Sequence, residues 1–317
     1  MQLYVLDPQD PIGPAIASAL EEPLAALEER RFEDGECKLR PLHDPRGHEA
    51  VVVAGLHGGP LHSPHDRLWR LLLLAATLRD HGAASVTAVI PYLAYARKDR
   101  RTQPFDPLSL RVLAQALESA GLAQLVVLEA HDVSAFENAF RVPVLHLEAW
   151  HAFGAIALAQ AEAGPIAVAS PDPGGAKRAL RWHAALEERL AQPVGFAMVD
   201  KRRSGGVLTG GHLVAGDVQG RSVLLLDDIV ATGHTLVQAA AALKRAGARR
   251  VIGLAAHGLF TEGAEHVLAD PALDAIVVTD SVPGARVPAG GPVGAKLQVV
   301  SAAPLLAHAL ASVTSRR

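Results

Sequence analysis

The stretch LLLDDIVATGHTL, residues 224–236, runs three leucines into two adjacent aspartates and then into Thr-Gly-His-Thr. A short apolar run bounded by turn chemistry fits a central strand of a parallel sheet. From Thr235, TLVQAAAALKRAG reads as an amphipathic helix ending at Gly247. The intervening loop is therefore expected at the carboxyl end of a strand and the amino end of a helix, where α/β folds place ligands. Thr232, Gly233 and Thr235 are small enough to let backbone N–H groups approach an anion, and the helix dipole adds a favourable field. Asp227 and Asp228 would repel a phosphate set directly on them and suit hydroxyl groups or a hydrated Mg2+ instead. A paired-aspartate strand end is costly without a ligand. Carboxylates for hydroxyls beside a nest for a phosphate point to a sugar-phosphate site.

Strand-like and helix-like runs alternate on both sides of this stretch. LYVLD, AVVVAGL, SVTAVIPYL and LVVLEA alternate with HDRLWRLLLLAATLRDHG and PLSLRVLAQALESAG; IAVASPD, GFAMVD, RVIGLAAHG and DAIVVTD follow, with GAKRALRWHAALEERLA among them. That order predicts parallel sheets with crossover helices. An internal echo divides the chain. LRDHGAASVTAVIPYLAY (78–95) lines up with LKRAGARRVIGLAAHGLF (243–260), each a helix end, a Gly-Ala turn and a buried strand. Two similar α/β domains are expected, 1–148 and 149–317, with no low-complexity linker between them.

Composition narrows the function class. Half of the 317 residues are apolar and 4% are aromatic, which fits an Ala/Leu/Val-rich α/β core. A net charge of -3 argues against broad nucleic-acid binding or a polybasic membrane surface. The single cysteine, Cys37, leaves no intramolecular disulfide and no cysteine metal cluster. MQLYVLDPQD lacks a basic start followed by an apolar core, and LWRLLLLAATL is interrupted by charge well short of the ~20 residues of a membrane span. The expectation is a soluble, cytoplasmic protein.

Further polar clusters fall where strands end. RFEDGECK (31–38) places Asp34-Gly35-Glu36 between two strand-like pieces, a hairpin signal. PYLAYARKDRRTQPFDP (91–107) packs Arg97, Lys98, Arg100 and Arg101 after a strand, and Arg suits bidentate phosphate binding. LEAHDVSAFENAF ends a strand on His131 and Asp132, and SPDPGGAKRA sets Asp172 before two glycines and a helix, a phosphate or metal geometry. VDKRRSGGVLTGGH supplies Lys201, Arg202 and Arg203 before glycines, which fits a lid closing over a charged transition state.

In this order the motifs resemble the ribose-phosphate diphosphokinase family, the phosphoribosyl pyrophosphate (PRPP) synthetases, over nearly the whole chain. FEDGE is similar to that family's adenine-contacting hairpin and PYLAYARKDRR to its ATP loop. SPDPGG, DKRR and DDIVATGHT are similar to its metal, lid and ribose-phosphate motifs. The resemblance implies two domains of the type I phosphoribosyltransferase kind, each a mostly parallel sheet flanked by helices. It further implies that Phe32, Asp34, Gly35 and Glu36, reaching from a neighbouring subunit, hold ATP together with Arg97 and Lys98. His131 and Asp172 would bind Mg2+, and Lys201 and Arg203 would stabilise the pentavalent phosphorus. Asp227 and Asp228 would hold the ribose hydroxyls, with Ala231, Thr232, Gly233, His234 and Thr235 around the 5-phosphate and Arg203 close to it. The implied reaction, in nucleotide biosynthesis, is attack of the ribose 5-phosphate C1 hydroxyl on the β-phosphorus of MgATP with release of AMP. A dimer-based homo-oligomer, up to a hexamer, is implied as well.

The chain departs from the family's pattern at named positions. Lys98 stands where Gln is usual, and a point charge that cannot accept a hydrogen bond changes the nucleotide contacts expected there. Ala231 stands where many members have Asp or Ser, His234 where many have Gly, and Asp132-Val133-Ser134 follows His131 in place of Ala-Glu-Gln. Two other functions fit part of the pattern. A PRPP-using phosphoribosyltransferase needs the 227–235 loop but not FEDGE, ARKDRR or DKRR. A non-catalytic regulatory paralogue would be expected to lack the lid cations that Lys201 and Arg203 supply.

Overall fold

The computed structural model describes residues 1–204, 207–283, 287 and 290–314, with the backbone alone for those described within 201–212. The chain groups into two compact units, Met1–Glu148 with Ser301–Arg317, and Ala149–Val300.

The first unit runs β1 (Gln2–Val5), α1 (Ile12–Leu20), β2 (Leu27–Arg31), β3 (Cys37–Pro41), β4 (Glu49–Val53), α2 (Pro64–Asp80), β5 (Ser85–Ile90), α3 (Ser109–Ser119), β6 (Gln124–Leu128), α4 (Val133–Ala139) and β7 (Val144–Leu147). Its sheet has the order β1-β4-β5-β6-β7, and every pairing in it is parallel. Val51, Val52 and Val53 of β4 and Val89 and Ile90 of β5 are buried, as the continuous apolar runs of a sheet covered on both faces require. β2 and β3 form a separate antiparallel hairpin.

The second unit runs α5 (Gly154–Glu162), β8 (Ile166–Ser170), α6 (Ala176–Leu190), β9 (Gly195–Ser204), β10 (Val207–Gly216), β11 (Ser222–Val230), α7 (His234–Arg245), β12 (Arg250–Gly258), α8 (Ala264–Leu268), β13 (Ala275–Thr279) and β14 (Leu297–Val300). Its sheet has the order β10-β9-β8-β11-β12-β13-β14, and β10 alone among these strands is antiparallel to its neighbour. β11 lies between β8 and β12, so the stretch that opens the sequence reading is a central strand. Val223, Leu224 and Leu225 are fully buried there. The internal echo corresponds to α2 followed by β5 in one unit and α7 followed by β12 in the other.

The expected second domain ran to residue 317, and here the structure differs. The last helix, α9 (Ala303–Thr314), packs against α1, β6 and β7 and belongs to the first unit. Ala303, Leu306, Ala307 and Leu310 recur at helical spacing and are buried, so the helix covers an apolar face of the first sheet. Leu310→Ala is expected to cost about 2–5 kcal/mol in chemical denaturation, the usual penalty for a buried Leu truncated to a cavity. Hydrogen exchange should then accelerate in α1, β6 and β7, and faster exchange confined to residues 149–300 would place α9 elsewhere.

Candidate functional site

β11 does not end at the leucines. It stays paired to β12 through Asp227↔Ala255, Ile229↔His257 and Val230↔Gly258, so both aspartates lie within the strand and not in the loop after it. The reason is that β12 is equally long and offers backbone partners to its last residue. Beyond the pairing, the Val230 carbonyl accepts from the N–H groups of Leu259 and Phe260 at 2.9 and 3.1 Å, which pins the strand end.

This extension sets two carboxylates side by side in a poorly hydrated place. Asp228 is 6% exposed, and its N–H donates to Asp227 Oδ1 at 2.9 Å. Burial, then the neighbouring charge and shared hydrogen bond of Asp228, holds the Asp227 carboxyl well above the usual carboxylate range. Arg178 works against that rise. Its guanidinium, buried in the first turn of α6, lies 3.7 Å from Asp228 Oδ1. Arg178 was not singled out in the sequence, where it reads as one more cation on an amphipathic helix.

Asp172 follows β8, the strand next to β11, so its loop and the 231–233 loop leave the same edge of the sheet. Asp172 Oδ1 accepts from the N–H of Gly175 at 3.0 Å, and Ser170 Oγ donates to the Asp172 carbonyl at 2.6 Å. A Cβ on Gly175 would sit 2.8 Å from Ser170 Oγ, so the glycine is what lets this turn close against the Ser170 hydroxyl.

The 231–235 segment is a sharp entry into α7. Gly233 is the residue before the helix, at φ 84°, and no side chain caps the helix start. The first-turn N–H groups of α7 therefore face outward toward any anion at that edge. The expected reason for Gly233 was room for a phosphate. The structure gives another: its missing Cβ would lie 2.6 Å from the Leu268 side chain of α8, and the positive φ itself favours glycine. Thr232 and His234 are exposed, while Ala231 and Thr235 are half-buried. Behind the strand ends, His257 is fully buried with Nδ1 2.8 Å from Ser281 Oγ, a polar contact that no sequence motif announced.

The basic segment expected as a lid loop is strand in its backbone. Lys201 pairs with His212 and Arg203 with Leu208 in the β9–β10 ribbon. The side chains of Lys201 and Arg203 lie outside the described residues.

In the first unit, Phe32, Asp34, Gly35 and Glu36 form the tip of the β2–β3 hairpin. Phe32 N–H donates to the Glu36 carbonyl at 2.8 Å, Asp34 Oδ1 accepts from Glu36 N–H at 3.0 Å, and Gly35 takes φ 95°. One Asp34 oxygen is thus used to shape the turn. Arg30 lies over the Phe32 ring at 4.8 Å. The hairpin is rooted by Arg70, whose buried guanidinium donates to Glu29 Oε2 at 2.5 Å, to Asp7 Oδ1 at 2.9 Å and to the Leu6 carbonyl at 2.6 Å.

Arg97 and Lys98 follow β5, and His131 follows the adjacent β6. Arg97 and His131 are exposed, whereas the Lys98 ammonium is engaged by Asp106 inside its own loop. Asp132 caps α4 by accepting from Ala135 N–H at 2.9 Å.

Mostly parallel sheets flanked by helices in both units make this the α/β architecture expected from the sequence, of the type I phosphoribosyltransferase kind. Residues 1–121 match the N-terminal domain of ribose phosphate pyrophosphokinase, and residues 210–315 match the phosphoribosyl synthetase-associated domain. The chain is similar to ribose-phosphate pyrophosphokinases of Thermotoga maritima (30% identity, 98% of this chain and 94% of that one) and Wolinella succinogenes (33%, 95% and 92%). The crystal structure of phosphoribosylpyrophosphate synthetase from Mycobacterium smegmatis superposes with a TM-score of 0.85 at 29% identity, covering the whole of both chains. The chain belongs to the ribose-phosphate pyrophosphokinase family and is an enzyme of that class.

A proton kept on Asp227 above the pH at which an unfolded Asp releases it means that the native state binds more protons within that window. Stability therefore falls as pH rises through it. Asp227→Asn, which cannot ionise, is expected to be more stable than the parent at neutral pH by on the order of 1 kcal/mol. The advantage should shrink as pH is lowered toward 3.8, the ordinary Asp value. Urea titrations of both proteins across that range check it, and an Asn variant no more stable at neutral pH would contradict the burial argument.

Proposed function

We propose that the protein forms 5-phosphoribosyl 1-diphosphate from ribose 5-phosphate and ATP. The observation that carries the reading is the acidic end of β11 set directly before an uncapped helix on Gly233. Carboxylates accept hydrogen bonds from sugar hydroxyls but repel phosphate, and a helix start does the reverse. Ribose 5-phosphate carries both groups. Asp227 and Asp228 would take the ring hydroxyls, and the 231–235 backbone, with the Thr232 and Thr235 hydroxyls, would take the 5-phosphate.

The sugar's C1 hydroxyl oxygen then bonds to the β-phosphorus of ATP, the bond from that phosphorus to the α,β-bridging oxygen breaks, and AMP leaves. The hydroxyl proton passes to solvent. Positioning and electrostatic stabilisation carry most of such a transfer. Lys201 and Arg203 would oppose the charge developing on the migrating diphosphate. Arg97, with the hairpin tip from a second copy of the chain, would hold the nucleotide, so the working form is a homo-oligomer. No helix among the described residues is long and apolar enough to cross a membrane.

Mg2+ is the expected cofactor, and the residues present fit it. Among the described residues no three His, Cys, Asp or Glu side chains converge on one point, so these residues alone do not cage an ion. Mg2+ habitually keeps waters and takes one or two carboxylates plus substrate phosphates. Asp172 supplies a hard oxygen donor at the sheet edge, and His131 an exposed imidazole in the first unit. When bound, the ion would neutralise phosphate charge.

The test is AMP release that requires both ribose 5-phosphate and Mg2+, with the product identified by phosphorus NMR. ATP cleavage without ribose 5-phosphate, or no AMP at all, would overturn the reading. Lys201→Ala is expected to lower kcat by about 100-fold or more while the KM for ribose 5-phosphate stays within about three-fold, since a cation that meets charge in the transition state acts on rate. Unchanged turnover would remove Lys201 from the mechanism.

A further inference from the structure

The loop joining β5 to α3 closes on a single carboxylate oxygen. Asp106 Oδ2 accepts from the Lys98 ammonium, from the Thr102 N–H and hydroxyl at 2.9 Å each, and from the Gln103 N–H at 2.9 Å. Lys98 Nζ also donates to Thr102 Oγ1 at 3.0 Å, and Arg101 Nε to the Asp106 carbonyl at 3.2 Å. Lys98, followed by these backbone and hydroxyl donors, holds the Asp106 carboxyl far below the usual carboxylate range. An isolated exposed ion pair contributes little to global stability. Four donors on one oxygen instead select a loop conformation, and they do so tightly enough to keep Phe105 at φ 68° with its ring wholly exposed. The loop thus spends interactions on its own shape while Arg97 points into solvent beside it.

We infer that Lys98 and Asp106 act as one positioning unit that pre-forms the nucleotide loop, and that Lys98 is not itself a ligand of ATP. Two of the three donors on its ammonium are used inside the loop, and the direction they impose is toward Asp106. The unit keeps Arg97 in place for the nucleotide phosphates and spares ATP the cost of ordering the loop on binding. This deepens the proposed function, because it rests on the loop facing ATP.

A double-mutant cycle separates a ligand from a positioning residue. Lys98→Gln and Asp106→Ala are each expected to raise the KM for ATP by about three- to ten-fold with kcat within about two-fold, and the double variant to be no worse than the poorer single. Multiplying effects would mean that Lys98 contacts the nucleotide independently and would overturn the inference, as would an unchanged KM in all three variants. Limited trypsin digestion of the unliganded protein gives a readout free of activity. Asp106→Ala retains every Lys and Arg of the loop and should be cut there about five-fold faster or more than the parent. An unchanged cutting rate would overturn the pre-formed loop. If the parent makes no product, the cycle can be read as the Kd of AMP-PNP by calorimetry, so failure of the functional reading and failure of this inference are told apart.

Discussion

Two adjacent carboxylates at the end of a buried central strand are the constraint around which the second unit is arranged. Like charges drawn out of water repel strongly, and a buried charge is tolerated when opposite charge or hydrogen bonds compensate it. Within the chain a guanidinium lies 3.7 Å from Asp228, the Asp228 backbone N–H donates to Asp227, and the Asp227 carboxyl is held high. Arg178 reaches that place from the first turn of α6, which follows β8 after a short loop. The long pairing of β11 with β12 keeps the aspartates there instead of letting them fray into solvent. On the proposed reading, sugar hydroxyls add hydrogen-bond donors to these two carboxylates.

The same fold position is used differently in the two units. α2 and α7 both follow a strand of a parallel sheet, and the internal echo makes them counterparts. The start of α2 is closed by its own side chains: Ser63 and Asp66 form a reciprocal cap, and Pro64 removes one donor. The sheet edge beside it is filled by paired charges, with Arg67 bound to Asp7 at 2.9 Å and to Asp10 at 2.7 Å, Arg70 bound to Asp7 and Glu29, and His57 against Asp10 at 3.0 Å. An anion arriving at α2 would meet carboxylates and a capped helix. At α7 it would meet bare N–H groups. At α2 the edge is internal structure, where Arg70 anchors the β2–β3 hairpin through Glu29.

Much of this was legible in the sequence, for physical reasons that differ by element. Buried parallel strands show themselves as apolar runs, and α2, α3, α6 and α7 as amphipathic stretches between them, because burial on both faces and on one face leave different periodicities. The hairpin at Asp34-Gly35 was legible because a tight turn needs a residue that accepts positive φ, and Gly35 has it. Three things were hidden. α9 gave no sign of which unit it would cover, since an apolar helical stripe specifies burial but not a partner. The strand boundary after Leu226 could not be placed, because an aspartate is a poor strand residue whose pairing depends on how far the neighbour runs. The direction of a Cβ on Gly233, toward Leu268, was hidden too, because it depends on how α8 packs.

The sequence by itself determined the class of fold, the family, and the sheet edges where polar residues gather, because alternating apolar periodicity and short Gly-Asp-Thr loops are local properties of the chain. Tertiary structure alone decided which charges are engaged within the chain and which are exposed. Lys98 and Arg97 are neighbours in one basic run, yet one is spent on Asp106 and the other is exposed. Arg178 and Arg181 lie on one helix, yet Arg178 is the one buried within reach of Asp228. A cation's role is set by which carboxylate lies within a few ångströms and by how much water is left between them, and neither is written in the order of the residues.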